Sequence, residues 1–132
     1  MILDNKKDFF EATKPVFEDV EVKDGVFIRV SEMTATDFVT LWTDPKYQVE
    51  GKDGVLSLQK ITPALIVGSV VNEKGDRLFS DKDTADLERK VGSAIFLKLG
   101  AAARRLNGVS GTEEKNSEAS PAEDSSTGSP SN

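Results

Sequence analysis

The closest approach to a chemical motif in this sequence is the acidic run Asn72-x-x-Gly75-Asp76, followed by Asp81-x-Asp83 and Asp86. Hard cations need several carboxylate oxygens converging from one loop, and these residues supply atoms of that kind. The spacing does not suit an EF-hand, which places glycine sixth and a bidentate glutamate twelfth; counted from Asn72, Gly75 is fourth and Asp83 twelfth. A hairpin turn followed by helix-capping acids is the simpler reading, and no metal is expected. The pairs Glu11/Glu18 and Asp83/Asp86 could be imagined as an acid/base couple, but such chemistry needs a cleft to hold them, and solvated faces account for them more simply. Gly51-Lys-Asp-Gly54 lacks the outer glycine and the Ser/Thr of a phosphate-binding loop.

The chain contains no His and no Cys. Their lack removes the most common general base near neutral pH, the commonest transition-metal ligand, any thiol nucleophile and any disulfide framework. A catalytic residue and a cofactor are therefore not expected, and the chain reads as a binding protein, not an enzyme. A small carboxylate-dependent hydrolase is the remaining catalytic possibility, and it would require a concave pocket with converging acids. The net charge of -6 disfavours nucleic acid and anionic membranes as partners. The opening residues, Met1-Ile-Leu-Asp-Asn-Lys-Lys-Asp, lack the apolar centre of a signal peptide, and no stretch approaches the roughly 20 apolar residues of a membrane span. A cytoplasmic protein is expected.

With no reactive constellation to position, the elements themselves carry the argument. Asp4 or Asn5 caps a short N-terminal helix that stops before Pro15 and bears Phe9-Phe10. From Val20 the pattern alternates strictly, with Val20, Val22, Val26, Ile28 and Val30 on one parity and Glu21, Lys23, Phe27 and Arg29 on the other. This predicts a hairpin turning at Lys23-Asp24-Gly25. Thr34 and Asp37 form a helix start, followed by Phe38, Leu41 and Trp42 at helical spacing and stopped at Asp44-Pro45; Glu50 to Gly54 is a polar loop. The apolar, β-branched run Ala64 to Val71 predicts a buried strand, turned at Asn72 to Asp76 and paired with Arg77 to Ser80 in a second hairpin.

From Ser80 onward a helical region carries one stripe of Leu87, Val91, Ile95, Leu99, Ala102 and Leu106, ends at Asn107-Gly108, and is divisible at Gly92. A second stripe, Gly92, Phe96 and Ala103, suggests another partner surface. Phe9, Phe10, Phe27 and Phe96 are the candidate protein contacts, whereas Phe38, Trp42 and Phe79 are expected in the core. The fold class predicted is α+β, with two β-hairpins forming a small antiparallel sheet and helices packed against it.

Two regions follow, a folded domain over residues 1–107 and a disordered, acidic, Ser-rich tail over 108–132. The tail has seven Ser, two Thr, three Gly and two Pro, carries no aromatic residue, and holds a net charge of -4 that leaves -2 for the domain.

The order of elements then becomes informative. A segment with Phe9-Phe10, a Val-rich hairpin ending Val26-Phe-Ile-Arg-Val, the start Ser31-Glu-Met-Thr-Ala-Thr-Asp37 and the stretch from Leu65 to Asp83 together resemble the tail assembly chaperones of long-tailed bacteriophages. The phrase Val70 to Asp83 is the most characteristic part, and the resemblance covers residues 1–107. It implies a small α+β protein of the host cytoplasm that forms a homo-oligomer, binds the tape measure protein and helps recruit tail tube protein during tail morphogenesis. It also implies absence from the mature virion and, in many members, a C-terminally extended form made by translational frameshift. The alternative is a structural minor tail or head–tail connector protein retained in the virion.

Overall fold

The computed structural model describes residues 1–109. The tail expected to be disordered lies, from residue 110 onward, outside the described residues. The fold is α+β: five α-helices accompany a three-stranded antiparallel sheet of order β1-β2-β3 among the described residues.

The N-terminal helix α1, Lys6–Ala12, is capped by Asn5, whose side chain accepts from the Asp8 N–H. The first hairpin forms as the alternation requires. Strand β1, Phe17–Lys23, pairs with β2, Val26–Ser31, placing Val20 opposite Ile28 and Glu18 opposite Val30, with an irregularity between Glu21 and Lys23. Gly25 supplies the positive φ of 74° at the turn. Helix α2, Ala35–Trp42, starts at Thr34, whose hydroxyl accepts from the Asp37 N–H. Asp44-Pro45 does not merely stop it but opens a 3-10 turn, Pro45–Tyr47, in which Asp44 accepts from the Lys46 N–H.

The buried apolar run is where the structure departs from the expectation. Residues from Leu58 to Ser69 form helix α3, capped by Ser57, and only Val70–Val71 is strand, β3. Every residue from Ile61 to Val67 is buried, because α3 is the central element, packed by α2, α4, α5 and β2. A helix enclosed on all sides has no polar face, so its sequence loses the 3.6-residue period that would distinguish it from a strand. Pro63 lies inside it and removes one ladder N–H, on the carbonyl of the exposed Gln59.

The second hairpin survives only in outline. Asn72 organises the turn, its Oδ1 accepting from the N–H groups of Lys74 and Asp76. The return segment contributes one bridge, Val71 with Arg77, and one bond from the Leu78 N–H to the Val70 carbonyl. The sheet gains its third strand from β3 pairing with β2, Arg29 opposite Val71 and Val30 opposite Val70.

The C-terminal helical region divides at Gly92 into α4, Thr84–Lys90, and α5, Ser93–Leu106. Within the predicted stripe, Leu87, Leu99 and Ala102 are buried, and Val91, Ile95 and Leu106 pack partly buried against the core. Helix α5 also lies across the sheet: Lys98 donates to the Glu21 carbonyl at 2.6 Å, and Arg105 pairs with Glu18. Its end is a Schellman motif, with Gly108 at φ 72°, its N–H donating to the Arg105 carbonyl and the Val109 N–H to that of Arg104. Val109, assigned from composition to the tail, is only 6% exposed and belongs to the core.

Candidate protein-contact surface

The acidic residues that resemble a metal loop are occupied structurally. Asp83 accepts from the Ser80 N–H, Asp81 pairs with Arg77 at 2.9 Å, and Asp86 pairs with Arg89 at 2.6 Å. Among the described residues, no group of three or more such side chains is arranged to hold a metal ion.

What the structure offers a partner is apolar surface. Residues 1–17 are exposed throughout and no residue of α1 is buried, so α1 and the residues before it form an arm on the surface, joined to the body where Val16 bonds Glu32 and Phe17 enters β1. Phe9 is 51% and Phe10 61% exposed, and their rings meet edge to face at 5.5 Å. Met1, Ile2 and Leu3 precede them, also exposed. Two adjacent rings on a helix point about 100° apart, so such a pair cannot bury both sides in one shallow contact.

A second surface is the outer face of the β1-β2 hairpin. Phe27, 57% exposed, stands opposite Glu21, as its parity predicts. Phe17 lies on the same face, and the Arg29 guanidinium stacks over its ring at 3.9 Å from the centroid. Arg29 is held there by a bidentate pair with Asp19, at 2.8 and 3.0 Å, and donates to the Glu73 carbonyl. The hydrogen bonds from Arg29 keep the Asp19 carboxyl below its usual range, and Asp19 in turn raises the Arg29 guanidinium. Extending the alternation backward from Val20 places Phe17 on the same parity as Phe27, so the sequence itself carries the signal for this second ring.

Two candidates change on inspection. Phe96 is partly buried against the core, so only part of its ring is offered. Trp42, expected in the core with Phe38 and Phe79, is 45% exposed. It contacts Phe38 edge to face at 5.5 Å, while Phe38 and Phe79 are partly buried. With Val39, Trp42 adds apolar surface on α2.

Between α2, the 3-10 turn and α3 lies a cleft of about 210 Å³. Met33, Leu41, Tyr47, Ala64 and Val67 give it apolar lining, and Asp37, Asp44, Lys46, Arg77 and Asp81 also line it. It became visible only with α3 in place as a helix. Phe9, Phe10, Phe27 and Phe96 are not brought together in it.

No family model, curated protein or solved structure matches the chain. Among the described residues, no helix is long and apolar enough to cross a membrane.

Proposed function

We propose that this chain is a non-catalytic tail assembly chaperone of a long-tailed bacteriophage, which self-associates, holds the tape measure protein and helps recruit tail tube subunits. The observation that carries the reading is exposed apolar surface on a small acidic body, with Phe9 and Phe10 on a helix that has no buried residue and Phe17 and Phe27 on the outer face of the hairpin. A chaperone for a long helical client must present apolar side chains and remain soluble, and the net charge of -6 opposes aggregation of a chain that does so. Weak individual contacts suffice when several copies act together along one client. The protein would work in the host cytoplasm and be missing from the finished particle.

Co-expression of the full chain with the tape measure protein tests this. The expected result is a soluble client that co-purifies with the chain, and a client that stays insoluble overturns the proposal. Mass spectrometry of purified particles adds a second criterion. Presence at fixed stoichiometry would favour a structural component of the virion instead.

A further inference from the structure

A helix of seven residues is far below the roughly 12–15 at which an isolated helix becomes even marginal in water. No residue of helix α1 is buried in its own copy, yet the helix is capped and carries two aromatic rings. We infer that α1 docks on a second copy of this chain, with the Phe10 ring entering the cleft between α2, the Pro45–Tyr47 turn and α3. The inference rests on the self-association proposed above and names its donor and its acceptor.

Size supports it first. A dry cavity of about 150 Å³ accommodates a benzene ring, and the cleft of about 210 Å³ has room for a phenylalanine side chain. The lining is mixed: Leu41, Tyr47 and the adaptable Met33 thioether give an apolar side for a ring, and Asp37, Asp44, Lys46, Arg77 and Asp81 give the cleft a charged side.

Charge then chooses the occupant. Lys6 and Lys7 stand one turn before Phe10 and make no ion pair among the described residues. Asp37, at the cleft, likewise makes none, whereas Asp44 caps the Pro45–Tyr47 turn and lies 3.9 Å from the Lys46 ammonium. The cations flanking the donor thus match one free carboxylate at the acceptor, that of Asp37. The two halves do not meet within one copy, since no arm residue lines the cleft. One arm and one cleft per copy give either a two-fold exchange or a head-to-tail ring.

The full chain has no Cys, which makes cross-linking a clean test. Lys14→Cys, one turn beyond Phe10, and Thr40→Cys, in the lining of the cleft, are made in separate differently tagged chains, mixed and mildly oxidised. A mixed disulfide formed severalfold more than with a Lys74→Cys control supports docking. Adding Phe9→Ser and Phe10→Ser to the donor should abolish it. Lys6→Glu with Lys7→Glu should weaken it, and Asp37→Lys in the acceptor should restore it.

Two results overturn the inference: no enrichment over the control, or, when both cysteines are in one chain, an internal disulfide at every concentration. Sedimentation of the unmodified chain separates the two levels of the proposal. Oligomers without the mixed disulfide retain self-association and discard this docking, while a monomer at all concentrations discards both. Client solubility is read independently.

Discussion

At the scale of single residues, the hairpin's outer face depends on Arg29, which binds Asp19 and covers Phe17. Because the folded Asp19 carboxyl titrates below its unfolded value, the unfolded chain binds a proton first as pH falls. The pair's contribution is complete above about pH 5 and is lost as pH drops from about 4 through the folded value. Asp19→Asn should therefore flatten the acid side of the melting curve. Its Tm should fall less than that of the parent between pH 6 and pH 3, and salt should shrink the difference. Equal losses in the two proteins would refute the assignment. Asn107 has a larger role. Its Oδ1 accepts from the Met33 N–H at 2.8 Å, and its Nδ2 donates to the Ala103 carbonyl and to Ser69 Oγ. This one side chain joins the end of α5 to the exit of β2 and the end of α3. Asn107→Ala removes the partner of the Met33 N–H and of Ser69 Oγ, while the Ala103 carbonyl keeps the backbone N–H of residue 107, and should cost about 1–3 kcal/mol in chemical denaturation.

At the scale of elements, the helix pair α3 and α5 sets the core. Gly100 lets them approach closely, since a Cβ there would meet Thr62 Cγ2 at 2.8 Å. Gly100→Leu should cost about 1–3 kcal/mol by overpacking, measured by urea titration, in spite of its better helix propensity. Elements whose ends carry local chemistry were readable from the sequence: Asn5 and Thr34 as caps, Asp24-Gly25 as a hairpin turn, Gly92 as the break and Asn107-Gly108 as the stop. Helix α3 was not, because its enclosure erases the periodic signal and its β-branched residues mimic a buried strand. The cleft was hidden for the same reason, since α3 forms one of its walls. Exposure of Phe9, Phe10 and Phe27 could be inferred from a terminal position and from strand parity. That of Trp42 could not, because α2 covers the body with Phe38 and Leu41 instead.

At the scale of the whole molecule, the arm and the body are energetically separable. Phe9→Ser with Phe10→Ser should leave Tm within about 1–2 °C of the parent, as expected for exposed positions, while lowering the sedimentation coefficient at high concentration. A large loss of Tm would place those rings in a core. The other end behaves differently, because Val109 is buried and closes the Schellman motif. Ending the chain after Asn107 should cost about 1.5–3 kcal/mol, whereas ending it after Val109 or a residue later should cost little. Denaturant midpoints of the two truncations check this directly.

The bond from Lys98 to the Glu21 carbonyl links positions 77 residues apart. At roughly 5–20 residues per second on the ribosome, about 4–15 s pass between the synthesis of these two residues. During that interval the nascent hairpin lacks the helix that covers Val20 and Val30. Its outer strand meanwhile carries Glu18, Asp19 and Glu21, and like charges set side by side discourage two growing chains from zipping together. The acidity of β1 thus guards the protein before it has a fold to protect.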